Sequence, residues 1–120
     1  MERRLCWKVE SALTAGYRHV DCAPVYLNQP QVGAALTAAL TAGLCTRDEL
    51  FITSKLMTYD LSPDGFAEAV KQSLTELGVE YLDLLLLQWP LPQLAPIAEQ
   101  WAAMVGGCMY KLNPVDPQLA

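Results

Sequence analysis

Apolar residues recur along the chain at two spacings, and the two spacings alternate. Stripes with an i, i+3, i+4 period cover residues 30–43 and 62–78, and they predict helices that end at Gly43 and Gly78. Short β-prone stretches at 17–21, 50–54 and 82–87 predict strands between and around these helices. The last stretch is almost continuously apolar, which is typical of a strand in a parallel sheet flanked by helices.

Two further helices are predicted at the ends of this pattern. Residues 8–15 carry an apolar face that stops at Gly16. A stripe beginning at Ile97 places Trp101 and Met104 in the core and ends at Gly106-Gly107. Residues 109–120 show no periodicity, so we expect a barrel-like unit over residues 1–107 and a divergent C-terminal tail over residues 108–120.

The regular alternation of strands and helices indicates right-handed βαβ crossovers. Asp21, Lys55 and Gln88 each stand at or just beyond the end of a predicted strand, and they are 34 and 33 residues apart. Eight such units would need about 250 residues, whereas this chain has 120. The sequence therefore predicts an α/β fold, a partial (β/α)8 TIM barrel of about three βα units with parallel strands.

Composition and charge narrow the function classes. The chain is 52% hydrophobic and 18% charged, which favours a packed core. A net charge of −5 and a pI of about 4.6 argue against a nucleic-acid partner, and no apolar run is long enough to cross a membrane. We expect a cytoplasmic protein.

The cysteines and the single histidine do not suggest a metal or disulfide framework. The four cysteines are widely spaced, without a Cys-x-x-Cys pair. We expect reduced thiols and no metal site, with Cys22 as a buried spectator. His19 shares a predicted strand face with Asp21 but lies about 7 Å deeper, which favours packing inside the barrel.

Four positions at the predicted strand ends carry candidate chemistry, namely Asp21, Tyr26, Lys55 and Gln88. An ammonium beside a tyrosine favours the phenolate and so makes the phenol a competent proton donor near neutral pH. A carboxylate paired with the lysine keeps that lysine charged and oriented. Taken singly, Asp21 is better explained as a strand-end capping residue and Lys55 as a solvated lysine. Their joint spacing with Tyr26 reverses this preference and favours a site.

Three segments resemble the aldo-keto reductases and occur in that family's order. They are AGYRHVDCAPVYLNQPQVGAAL, TRDELFITSKL and LGVEYLDLLLLQWP. The resemblance covers about three quarters of the chain. The resemblance implies NAD(P)H-dependent reduction of a small carbonyl substrate on a (β/α)8 barrel. It also implies that Tyr26 is the general acid, that Lys55 tunes it, and that Asp21 pairs with Lys55 and lines the nicotinamide pocket of an NADP(H) cofactor.

The chain departs from the family pattern at several of its positions. Gln88 stands before Trp-Pro where the family has a histidine, and a glutamine amide can donate a hydrogen bond but cannot relay a proton. Leu27 and Gln29 replace the usual Gly and Glu, and Met57 stands where a pocket tryptophan is common. The family's later strands, with most of the dinucleotide site, are not recognisable, so we expect a truncated chain with impaired or no activity.

Two alternatives remain open at this stage. The chain could be a non-catalytic interaction protein, because open parallel strands expose unpaired backbone groups and would favour self-association. The sequence could also come from a truncated gene model whose natural product is a complete reductase. Trp89 could line a pocket or simply pack.

Overall fold

The computed structural model describes residues 3–57 and 60–108. In these residues helices and strands alternate as follows: α1 (Arg3–Thr14), β1 (His19–Asp21), α2 (Gln29–Thr41), β2 (Phe51–Leu56), α3 (Pro63–Leu77), β3 (Leu84–Leu87) and α4 (Ile97–Cys108). Short 3-10 helices at Pro24–Tyr26 and Arg47–Glu49 lie in two of the connections. None of the helices in this part of the chain is long and apolar enough to cross a membrane.

The three strands form one parallel sheet in sequence order, β1-β2-β3. Asp21 pairs with Thr53, and Lys55 pairs with Leu86. The predicted α/β architecture with parallel strands is confirmed. Since parallel strands all end at the same edge, the residues that close β1, β2 and β3 are gathered there.

The core lies between the helices and one face of the sheet. Side chains alternate along β2, so that Ile52 and Leu56 join the core while Lys55 lies on the opposite face. The core is formed mainly by aliphatic residues of both layers: Leu13, Val32, Leu36, Ala39, Leu50, Ile52, Leu56, Phe66, Val70, Leu74, Leu77, Leu82, Leu85 and Met104. On the opposite face, Phe51 is 43% exposed and Leu84 and Leu86 are each 39% exposed.

The ends of α3 follow the sequence prediction. The Ser62 hydroxyl accepts a hydrogen bond from the Gly65 amide at 3.1 Å, so one of the free N–H groups of the first turn is satisfied. Gly78 closes the helix with a φ of 65°, a left-handed conformation that glycine adopts without strain. These two residues fix where the chain leaves β2 and returns to β3.

The prediction for the core face of α4 was wrong at Trp101. Trp101 is 57% exposed, whereas Gln100 is 1% exposed and Met104 is 4% exposed. Gln100 can occupy the buried position because its amide accepts from the Leu91 amide at 3.2 Å and donates to the Ala95 carbonyl at 2.7 Å. A buried glutamine thus shifts the helix face by one residue relative to the apolar pattern.

The predicted end of α4 at Gly106-Gly107 was also wrong, because the helix continues through both glycines to Cys108. A Cβ on Gly107 would collide with the carbonyl oxygen of Pro63. Gly107 therefore allows α4 to approach the start of α3 closely. Residues 109–120, which make up nearly all of the predicted divergent tail, lie outside the described residues.

Candidate active site

Lys55 is the centre of a compact polar cluster at the carboxyl end of the sheet. Its Nζ atom lies 2.7 Å from both carboxylate oxygens of Asp21 and 2.9 Å from the carbonyl oxygen of Cys22. The Tyr26 hydroxyl lies 3.3 Å from the same atom, and the Tyr26 ring centroid is 5.0 Å away. The structure therefore brings together three of the four residues that the sequence indicated.

The strand register explains how Asp21 and Lys55 meet. Asp21 is the last residue of β1, and it pairs with Thr53, two residues before Lys55 on the neighbouring strand. Residues two apart on a strand share a face, so the two side chains point from the same face of the sheet. The Cys22 amide then donates to the Thr53 carbonyl at 2.8 Å, which holds the chain just beyond β1 against β2.

Tyr26 is presented by a tight turn rather than by a strand. The 3-10 helix Pro24–Tyr26 begins with a proline and closes with a hydrogen bond from the Leu27 amide to the Pro24 carbonyl at 3.0 Å. Leu27 adopts a φ of 52°, which is in the left-handed region that favours glycine, and it is 88% exposed. This strained residue reverses the chain directly after Tyr26 and leads into α2.

The electrostatics of the cluster keep Lys55 charged. Burial of its ammonium lowers the pKa, but the hydrogen bonds to Asp21 and Tyr26, together with the charge of Asp21, outweigh burial and raise the pKa above the ordinary value of 10.5. Burial, assisted by the Asp21 charge, raises the pKa of the Cys22 thiol to about 11. Cys22 is 1% exposed and stays protonated near neutral pH, which agrees with a spectator thiol whose backbone carbonyl contributes to the site.

Gln88 directly follows β3. Its backbone N–H donates to the Leu56 carbonyl at 3.1 Å and so continues the hydrogen bonding between β2 and β3. Its side-chain oxygen is buried and accepts no hydrogen bond from the residues that the structure describes. By strand alternation Gln88 shares a face with Leu86, which pairs with Lys55. Gln88 therefore lies at the same edge of the sheet with an acceptor that is still available.

The other candidates near this edge have different roles. The exposed His19 ring contacts the Thr53 hydroxyl at 2.8 Å and meets the Phe51 ring edge-on at a centroid distance of 4.7 Å, so it lies on the same sheet face as Lys55. Trp89 is 59% exposed, and together with Met57 it lines a small cavity of about 40 Å³ beyond β2 and β3. Trp89 is thus a wall residue rather than part of the core.

Sequence reasoning missed two contributors to the geometry of this cluster. The first is the Cys22 carbonyl, which has no signal in the sequence because any residue carries the same group. The second is a buried amide at Gln29, which is 1% exposed and binds Ser54, the neighbour of Lys55. The departure from the usual glutamate at position 29 was visible in the sequence, but its partners were not.

A strand-end lysine, held by a carboxylate and lying beside a tyrosine, is thus placed at the carboxyl edge of a parallel α/β sheet. The Aldo/keto reductase family model matches residues 4–107. The chain belongs to the aldo/keto reductase family.

Similar proteins support the same assignment. An aldo/keto reductase of Synechocystis is 48% identical over 83 residues, or 69% of this chain and 25% of that protein. An NAD/NADP-dependent indole-3-acetaldehyde reductase of Schizosaccharomyces pombe is 44% identical over 107 residues, or 87% of this chain and 35% of that protein. The chain thus spans between a quarter and about a third of the length of these two relatives.

Solved structures extend the agreement to the fold. A Bombyx mori aldo-keto reductase in complex with NADP superposes with a TM-score of 0.82 and 35% identity, over 93% of this chain and 39% of that one. An aldose reductase of Giardia lamblia gives a TM-score of 0.82 at 33% identity. The prediction that the fold is part of a (β/α)8 barrel is confirmed.

Proposed function

We propose that the chain carries the proton-donating half of an NAD(P)H-dependent carbonyl reductase site, acting on small aldehydes or ketones. The observation that supports this most strongly is the grouping of Asp21, Tyr26 and Lys55 around one ammonium. The site residues we assign to this role are Tyr26, Lys55, Asp21 and Gln88. The fission-yeast relative, Schizosaccharomyces pombe indole-3-acetaldehyde reductase, is NAD/NADP-dependent, which agrees with this reaction class.

In this proposal Tyr26 gives its hydroxyl proton to the carbonyl oxygen of the substrate. The side chain is 47% exposed, so its hydroxyl can be reached from the open side of the sheet. Lys55 stabilises the phenolate that remains, because its ammonium lies 3.3 Å from the hydroxyl oxygen. Asp21 holds Lys55 in place through both carboxylate oxygens.

The described residues fit one end of the implied cofactor. A nicotinamide dinucleotide supplies the hydride when it is bound, and the half-exposed Asp21 carboxylate can accept a hydrogen bond at the ring end. Two arginines that could contact the phosphate groups have other partners. Arg18 donates to the carbonyls of Leu13 and Tyr17, and Arg47 pairs with Asp83, just before β3. The phosphate groups would therefore need other residues.

We further propose that reduction by this chain is impaired. The Gln88 amide can orient a carbonyl oxygen by hydrogen bonding, but it cannot exchange a proton as the usual histidine can. This departure predicts slow turnover rather than a different reaction.

The test is NADPH-dependent reduction of an aromatic aldehyde by the purified chain, measured as the loss of NADPH absorbance. Residual turnover should fall by roughly 10²-fold or more in Tyr26→Phe. It should be unchanged in Tyr17→Phe, which removes a hydroxyl from a 70% exposed tyrosine. Gln88→His should raise the rate.

Two outcomes would count against the proposal in different ways. Turnover that survives Tyr26→Phe would show that Tyr26 is not the proton donor. Rapid wild-type turnover, comparable with that of the fission-yeast relative and lost in Tyr26→Phe, would preserve the role of Tyr26 and contradict the impairment.

A further inference from the structure

Gln29 is a fully buried amide that links three elements behind the candidate site. It is the first residue of α2 and is 1% exposed. Its side-chain oxygen accepts a hydrogen bond from the Ser54 hydroxyl of β2 at 2.7 Å. Its Nε2 donates to Glu76 Oε2 of α3 at 2.9 Å and lies 3.4 Å from the Ser73 hydroxyl, so both ends of the amide are used.

The presence of Glu76 fixes the orientation of this amide. Turning the amide over would place its oxygen against the Glu76 carboxylate and lose the hydrogen bond. Glu76 is itself held by the Gln72 amide, which donates to its other carboxylate oxygen at 2.8 Å. The amide therefore has a single favourable orientation, with its oxygen toward β2.

The two ends of this link lie close in sequence to the two reacting side chains. Gln29 comes three residues after Tyr26, and Ser54 immediately precedes Lys55. Ser54 points toward the helices while Lys55 points to the opposite face, so the bond from Ser54 fixes the height of β2 relative to the start of α2 without occupying the site. A shift of α2 along β2 would move Tyr26 relative to Lys55.

The contact between Tyr26 and Lys55 is the one most sensitive to such a shift of α2. At 3.3 Å it is the longest of the four contacts that the Lys55 ammonium makes with the described residues, the others being 2.7, 2.7 and 2.9 Å. The Tyr26 turn is anchored on one side by Cys22 and on the other by α2. The strained Leu27 joins the turn to α2, so the helix start transmits its position to Tyr26.

We propose that Gln29 is a positioning residue that sets the distance between Tyr26 and Lys55, and that Glu76 is the partner that requires an amide at position 29. This inference rests on the proposed function of Tyr26 and Lys55. With a glutamate at position 29, the usual residue in the family, two carboxylates would meet at the present 2.9 Å contact. Like charges at that separation repel or share a proton, and the link to Ser54 would be disturbed.

The test is an NMR measurement on the full chain near neutral pH, of the NOE between the Tyr26 ring and the ε-methylene protons of Lys55. Signals are assigned with Tyr26→Leu and Lys55→Arg, and circular dichroism shows that each variant is folded. The NOE should be strong in the wild type and lose most of its intensity in Gln29→Glu. It should return in Gln29→Glu combined with Glu76→Gln.

A matched double variant separates a local effect from a general charge effect. Gln29→Glu combined with Glu68→Gln has the same net charge, but Glu68 is an exposed residue of α3. It should not restore the NOE. If Gln29→Glu does not fold, Gln29→Met removes the same hydrogen bonds without adding a charge and should also lose the NOE.

The outcomes distinguish this inference from the proposed function. A folded Gln29→Glu or Gln29→Met variant that keeps the wild-type NOE overturns the positioning role and leaves the proposed function standing. Restoration by Glu68→Gln as well as by Glu76→Gln overturns the specific role of Glu76. Absence of the NOE in the wild type overturns both, because Tyr26 and Lys55 would then not be paired.

Discussion

Replacing Asp21 with asparagine tests how strongly the ion pair with Lys55 holds the site together. The substitution keeps the shape of the side chain and removes its charge. A hydrogen bond to a charged group contributes about 1.5–3 kcal/mol when it is well buried, whereas an exposed ion pair contributes about 0–1 kcal/mol. Lys55 is 13% exposed and Asp21 is 54% exposed, so we expect a loss of about 1 kcal/mol in the free energy of unfolding.

The pH dependence of this loss follows from the pKa of Lys55. That pKa is raised in the folded chain above the ordinary value of 10.5, so the folded state binds the proton more tightly than the unfolded state. The stabilisation is therefore fully present below pH 10.5 and is lost as the pH rises through the folded pKa. The gap between the wild type and Asp21→Asn should be constant near neutral pH and should narrow above pH 10.5.

The assay is urea unfolding monitored by circular dichroism, at pH 7 and at several pH values above 10.5. Glu80→Gln serves as the control, because it removes one negative charge from an exposed residue. An effect of Asp21→Asn no larger than that of Glu80→Gln would show that the ion pair with Lys55 adds no stability. A gap that does not narrow at high pH would show that the ion pair is not its source.

Three further predictions concern strain, packing and the open sheet face. Leu27→Gly should raise the free energy of unfolding by up to about 1 kcal/mol, because relief of the left-handed strain exceeds the added entropy of the unfolded chain; a loss of stability in urea would contradict this. Met104→Ala should cost about 2–5 kcal/mol and Trp101→Ala about 0.5 kcal/mol or less, and equal losses in the same assay would contradict the observed orientation of α4. The chain should self-associate through its open sheet face, and Leu84→Glu should reduce the sedimentation-derived mass toward 13.2 kDa; a monomeric wild type would rule this out.

Local patterns were sufficient to predict most of the elements of this fold. Ser62, Pro63 and Gly78 give chemical signals for the start and end of α3, and each acts through its own backbone or side chain. The strands 17–21, 50–54 and 82–87 were predicted within a few residues of β1, β2 and β3. The spacing of Asp21, Lys55 and Gln88 predicted a common edge because parallel strands end together.

Errors arose where a tertiary contact overrides a local pattern. Glutamine is usually a surface residue, yet two backbone groups in the loop before α4 satisfy the Gln100 amide in the core, so Trp101 is turned to solvent. Gly107 reads as a helix end, yet its missing side chain is what lets α4 approach Pro63. The residues that contact Gln100 and Gly107 are set by the path of the folded chain, and the adjacent sequence gives no signal for them.

The candidate site was predictable in its residues but not in its supports. Asp21, Tyr26 and Lys55 could be singled out from their chemistry and spacing. The Cys22 carbonyl, the left-handed Leu27 and the link from Gln29 to Ser54 depend on the path of the backbone and on packing between layers. The same dependence explains why the consequences of Gln29 became clear only with Glu76 beside it.

We propose that this segment carries the proton donor of an aldo/keto reductase site, Tyr26. To test this directly, residues 4–107 replace the matching segment of the fission-yeast indole-3-acetaldehyde reductase. The NADPH-dependent reduction of an aldehyde by this chimera is then measured. We predict measurable reduction that increases with Gln88→His and is lost with Tyr26→Phe but not with Tyr17→Phe. A folded chimera that reduces the aldehyde equally well with Tyr26→Phe would show that Tyr26 is not the proton donor.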